Sequence, residues 1–121
     1  MPIKLLIIDE QEARQTTIPD LSTHGFQTYI TYQDHRYEQV LQEIDPDVII
    51  INALQPERKN GSIYAKIRSI SKAPILVTSV VDKPGIVEKV LNQGADEYLI
   101  KPVSTNMLIA RLKALARRAQ P

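Results

Sequence analysis

Asp9 and Glu10 stand side by side directly after an apolar run, Ile3–Ile8. Three further apolar runs end in chemistry-bearing residues. Asn52 follows Val48–Ile51, Thr78 and Ser79 follow Pro74–Val77, and Lys101-Pro102 follows Glu97–Ile100. Carboxylate oxygens are the ligands that a hard cation such as Mg²⁺ prefers. Adjacent hydroxyls and an ammonium add hydrogen-bond donors. Each of these residues also has a purely structural use. Asp9 or Glu10 suits a helix N-cap, Asn52 suits a turn that needs a left-handed backbone, Thr78 is a good strand residue, Ser79 is common in turns, and Lys101 suits an exposed surface. What separates the two uses is whether the elements bring these residues to one place.

The elements follow from two alternating periods. Ile3–Ile8, Val48–Ile51 and Pro74–Val77 are short, nearly continuous apolar runs, which is the pattern of strands buried on both faces of a parallel sheet. Phe26–Tyr32 and Glu97–Ile100 mix polar and apolar residues and read as edge strands. Between them the spacing becomes helical. The stripes are Tyr37/Val40/Leu41/Ile44, Ile63/Ile67/Ile70, Ile86/Val87/Val90/Leu91 closed by Gly94, and Leu108/Leu112/Leu115. Residues 11–23 predict the first of five helices, although Pro19 must shorten or kink it. Strands alternating with helices give a doubly wound α/β domain, in which the ligand crevice lies at the carboxyl ends of the strands. Asp9, Glu10, Asn52, Thr78, Ser79 and Lys101 are the residues at those ends.

Composition narrows the chemistry. With 121 residues, 43% hydrophobic and 24% charged, the chain has the make-up of one globular domain over residues 1–121. It contains no cysteine and only His24 and His35, so thiol catalysis and Cys- or His-rich metal sites are excluded. A Gly-rich phosphate loop and a nucleophile elbow are both missing. No apolar run approaches the length of a membrane span and no signal-peptide pattern opens the chain, which predicts a cytoplasmic protein without a membrane partner. Charge is lopsided: residues 1–60 carry a net −5 and residues 61–121 a net +6. The basic end (Arg111, Lys113, Arg117, Arg118) reads as a solvated helix face with a favourable macrodipole, or as a surface for nucleic acid or an acidic partner.

Several local motifs resemble one family over the whole length, the receiver domains of two-component response regulators (the CheY-like, flavodoxin-like fold). The acidic pair Asp9-Glu10 ends the first strand. Pro46-Asp47, four apolar residues, Asn52 and Pro56 reproduce the third-strand pattern. Thr78 ends the fourth strand, and Gly94-Ala95-Asp96-Glu97-Tyr98-Leu99-Ile100-Lys101-Pro102 reproduces the long signature around the fifth. The resemblance implies a five-stranded parallel sheet in the order 2-1-3-4-5, and a signalling module rather than an enzyme. It also implies a switch made of Thr78, Ser79, Tyr98, Lys101 and Pro102, with a cis Lys101–Pro102 bond. The histidine kinases and other signalling proteins that partner such domains are implied partners here.

The departures from the family matter as much. Where the family has its phosphoacceptor aspartate this chain has Asn52, a neutral amide whose nitrogen lone pair is delocalised, so it is no nucleophile toward phosphorus. Asp45 and Asp47 precede the strand and Glu57 lies beyond Pro56. The metal site is reduced to Asp9 and Glu10, so Mg²⁺ binding is expected to be weak or lost, and no other cofactor is indicated. Glu10, usually Asp, is long enough to reach Lys101 or Asn52. The loop of residues 55–61 spaces Gly61 one residue further from Pro56 than the family does and is basic at Arg58 and Lys59. These features predict a pseudo-receiver acting through protein contacts. The alternatives are a true phosphotransfer receiver with another acceptor, and an unrelated α/β enzyme or small-molecule binder using the same crevice.

The C-terminal helix, residues 106–118, resembles that of receivers joined to winged-helix DNA-binding domains (OmpR/PhoB-like). Such receivers dimerise through the fourth helix, fifth strand and fifth helix, and Lys89, Asp96, Glu97, Met107 and Arg111 match that face. A homodimer with Arg111 meeting the acidic pair of a twofold mate is expected. DNA would be contacted only through an output domain, and the basic tail 117–121 would begin the linker to it.

Overall fold

The computed structural model describes residues 1–10, 18–33, 36–57 and 63–119. Strands β1 (Ile3–Asp9), β2 (Phe26–Tyr32), β3 (Val48–Asn52), β4 (Ile75–Ser79) and β5 (Glu97–Ile100) form one parallel sheet in the order β2-β1-β3-β4-β5. The edge strands are the two with mixed polarity. The helices are α1 (Tyr37–Ile44), α2 (Ile63–Ile70), α3 (Pro84–Asn92) and α4 (Thr105–Ala119).

Strand side chains alternate between faces, so each apolar run feeds two cores. Leu6, Ile8, Ile49, Ile51, Ile75 and Val77 pack with residues of α1, α2 and α3, such as Leu41, Ile67 and Val90. Leu5, Ile7, Val48, Ile50 and Leu76 pack on the other face with Leu108, Leu112 and Leu115 of α4. This two-sided burial is why β1, β3 and β4 read as continuous apolar runs rather than alternating ones.

Two expectations change. Among the described residues there are four α-helices rather than five. Residues 11–17 of the expected first helix lie outside the described set, and Ser22–His24 form a single 3-10 turn closed by Gly25 in the left-handed region (φ 90°). Leu91 leaves the α3 stripe and is exposed, while Val90 is fully buried. Gly94 does end α3 as expected: with φ at 128°, it lets the Ala95 N–H turn back to the Val90 carbonyl at 3.3 Å. Of the basic tail 117–121, residues 117–119 continue α4 as its last turn, and the rest is outside the described residues.

Candidate functional site

Register builds the site. Parallel pairing sets Asp9 opposite Asn52 and Asn52 opposite Thr78, so three strand ends present one row of polar side chains. All three are buried, Asp9 and Asn52 completely. Asn52 belongs to β3 itself and is not the turn former that its residue type allowed. Its amide joins the row: Asn52 Nδ2 donates to Asp9 Oδ1 at 2.7 Å, and Thr78 Oγ1 donates to Asn52 Oδ1 at 3.0 Å. The amide orientation matches its partners, with the NH₂ end facing the Asp9 carboxyl oxygen and the amide oxygen facing the Thr78 hydroxyl. The other oxygen, Asp9 Oδ2, is buried with no hydrogen-bond partner.

Glu10 is buried beside this row, and its Oε1 accepts the Gln55 backbone N–H at 2.7 Å. The acid that meets Asn52 directly is Asp9, while the extra methylene of Glu10 reaches the loop after β3. Ser79, fully buried, closes β4, and its hydroxyl accepts from the Val81 N–H at 3.2 Å. Tyr98 packs against the core on the α1–α3 face, and its hydroxyl donates to the Val81 carbonyl at 2.7 Å. Burial raises the Tyr98 pKa, with Glu57 and Asp82 adding to the rise and a Ser79 hydrogen bond opposing it. Lys101 follows β5 with its N–H on the Ser79 carbonyl at 2.8 Å, and the Lys101–Pro102 bond is cis, as expected. Every sequence-derived crevice residue therefore lies at the carboxyl end of the sheet.

Sequence reasoning missed Tyr64. Only 1% exposed, it donates to the Pro56 carbonyl at 2.8 Å and so anchors the loop that leaves β3. Burial pushes its pKa well up, with Tyr98, Glu10 and Glu57 contributing. Its neighbours Ile63 and Ile67 marked a helix stripe, and nothing in the spacing singled out a tyrosine between them.

Of the other carboxylates weighed as acceptors, Asp45 and Asp47 lie before the opposite end of β3, Asp47 roughly 17 Å from Asn52 at ~3.3 Å per residue and Asp45 no nearer to that end. Asp47 Oδ2 accepts the Lys4 N–H at 2.8 Å. Glu57 is on the crevice side, close enough to act on both Tyr64 and Tyr98. Arg58 and Lys59 lie outside the described residues.

The α3–β5–α4 face differs from expectation in its charge pairs. Arg111 Nε reaches Glu97 Oε1 of the same chain at 3.2 Å. Asp96 Oδ2 accepts the Ile75 N–H at 2.7 Å and Arg68 Nη2 at 3.2 Å. The reason is proximity: Glu97 opens β5 beside α4, and Asp96 ends the turn beside the C-terminus of α2. Lys89 and Met107 are exposed, Met107 at 45%.

The family model for the response regulator receiver domain matches residues 5–113. A two-component response regulator from Clostridium difficile is 25% identical, with a TM-score of 0.82, covering 98% of this chain and 99% of that one. The BeF₃-activated N-terminal receiver domain of RstA from Klebsiella pneumoniae is 22% identical (TM-score 0.80), covering 94% and 98% respectively. The receiver domain of a sensor histidine kinase from Pseudomonas aeruginosa, solved with magnesium in its active-site cleft, is 17% identical (TM-score 0.74), covering 97% and 99%.

Proposed function

This chain belongs to the response regulator receiver family, and from that premise we propose that it is a pseudo-receiver: a signalling module that is not phosphorylated at the usual position and works through protein contacts rather than as an enzyme. One observation carries the reading. At the position where the family places its phosphoacceptor, the Asn52 amide is hydrogen-bonded between Asp9 and Thr78, with neither a nucleophilic atom nor a charge. The switch hydroxyl of Thr78 already has its acceptor in the Asn52 oxygen, and Tyr98 is already tied to Val81. The Thr78 and Tyr98 contacts are thus made without a phosphoryl group.

The same donor set fits Mg²⁺ poorly. An amide N–H cannot ligate a cation, and here it is the N–H end that faces Asp9, while the amide oxygen is turned to Thr78. Among the described residues, no group of three His, Cys, Asp or Glu is arranged to hold a metal. Intact mass after incubation with a small-molecule phosphodonor and Mg²⁺ tests the reading: an unchanged mass is expected. A gain of one phosphoryl group would overturn it, and peptide mapping would then decide between Glu57 and another acceptor.

Among the described residues no helix is long and apolar enough to cross a membrane. The partner surface we favour is the α3–β5–α4 face, where Leu91, Ile100 and Met107 are exposed. A weak homodimer there is held mainly by apolar contact, because its acids are engaged within the chain. Histidine kinases and an output domain that binds DNA are the partners that the family suggests.

A further inference from the structure

Among the cavities lined by described residues, one of about 380 Å³ exceeds two others of about 260 and 240 Å³. It opens beside the crevice, and its walls include Ile18, Val80, Val103 and Leu108 together with Thr78 and Lys101. We propose that this groove binds a small amphipathic carboxylate, its apolar body against Val103 and Leu108 and its anionic head on Lys101.

Depth, size and charge point the same way. Val80 at the rim is 62% exposed and Leu108 only 2%, so the groove runs from solvent down to the core. Exposing a large apolar side chain beside an apolar cavity costs free energy that a ligand recovers by covering it. The volume lies near the lower end of the ~300–1,000 Å³ usual for small-molecule sites, which are apolar with a few placed polar groups. Of the two polar residues among the described lining, Thr78 has already committed its proton to Asn52. Among the described lining residues, Lys101 is the charged one. An ammonium has three donors, so it can serve the protein and a ligand together, and its sign selects an anionic head. Because Thr78 and Lys101 line both the groove and the crevice, a bound ligand touches the switch directly. Binding itself is independent of whether Asn52 is phosphorylatable; only its service as the input in place of phosphorylation rests on the pseudo-receiver reading.

The test is a titration of the isotope-labelled chain with 4-phenylbutyrate, followed by methyl and amide NMR, with 4-phenylbutanol as the uncharged probe. Saturable shifts are expected at Val80, Val103 and Leu108. Affinity should fall about tenfold for the alcohol and in Lys101→Met, the scale of one hydrogen bond to a charged group. Val80→Asp, made at an exposed position that leaves the fold intact, should weaken the carboxylate more than the alcohol by placing like charge at the rim. Absence of saturable shifts at these residues at millimolar probe would overturn the proposal. So would equal binding of both probes, or shifts confined to the basic face of α4. The phosphodonor mass experiment is blind to all of these outcomes, so failure of one reading is separable from failure of the other.

Discussion

The two ends of the sheet both carry buried or half-buried carboxylates, and Asp9 at the carboxyl end is held in the opposite way from Asp47 and Asp96 at the amino end. At the amino end, Asp96 is 45% exposed in its side chain, yet its Oδ2 takes both the Ile75 N–H and Arg68. Asp47 takes the Lys4 N–H. Arg68 extends that end by donating to the Ala73 carbonyl at 2.7 Å and to the Ser71 carbonyl at 3.3 Å. At the carboxyl end, Asp9 is fully buried and keeps one oxygen without a hydrogen-bond partner. Burying a charged oxygen without a partner is expensive, whereas an acid that accepts backbone N–H groups stabilises the fold. The amino end is a structural seam, and the carboxyl end retains the cost of a site.

Five substitutions can break or sharpen that contrast. The largest effect belongs to Asn52→Asp, which sets a second buried carboxylate where the amide now donates to Asp9. An uncompensated buried charge costs about 3 kcal/mol or more, so urea unfolding in chelator should show a loss of that size. Added Mg²⁺ should recover much of it, while phosphorylation of the variant should remain slow. Equal stability with and without Mg²⁺ would mean that Asp9 and residue 52 do not share a field.

Next comes Asp96→Ala, which orphans the Ile75 N–H and unties Arg68; about 2 kcal/mol should be lost. Its counterpart, Asp9→Asn, should be neutral or stabilising, since it removes a poorly satisfied buried charge. If both substitutions destabilised equally, the contrast between the two ends would collapse.

Tyr64→Phe loses the hydrogen bond to Pro56 and should cost about 1 kcal/mol near neutral pH. The folded pKa of Tyr64 is raised chiefly by burial. Its contribution is therefore fully present below the unfolded value of ~10 and is lost as pH climbs toward the folded value. Tyr37, held at about 12 mainly by burial, follows the same rule. The stability gap between wild type and Tyr64→Phe should narrow above pH ~10, and a gap that widened there would contradict the sign.

Smallest is Arg111→Glu. Its pair with Glu97 is half-exposed and worth about 0–1 kcal/mol, so monomer stability should hardly move. Sedimentation should still show weaker dimerisation, because the new glutamate stands beside Glu97. A dimer indifferent to the change would move the interface off this face.

The fold and the crevice were legible because both rest on local rules. A strand buried on both faces needs an unbroken apolar run, an edge strand tolerates polar residues, and the residue after each run must lie at the carboxyl end. Asp9, Asn52, Thr78 and Lys101 were placed by that reasoning alone, and the motif around Lys101-Pro102 supplied the cis bond. The exposed Leu91 and the buried Tyr64 were not legible, since helical spacing marks a stripe without saying which of its flanks meets the sheet.

By itself, then, the sequence determined the order of elements and the polar row at the strand ends, with the neutral amide of Asn52 in it, all consequences of residue type and period. Tertiary structure decided which acid serves which donor. That Asp9 rather than Glu10 takes the Asn52 amide, that Asp96 closes on Arg68, and that Arg111 pairs within its own chain depend on distances across strands and helices. Those distances are fixed by sheet register and helix packing, and a one-dimensional spacing does not encode them.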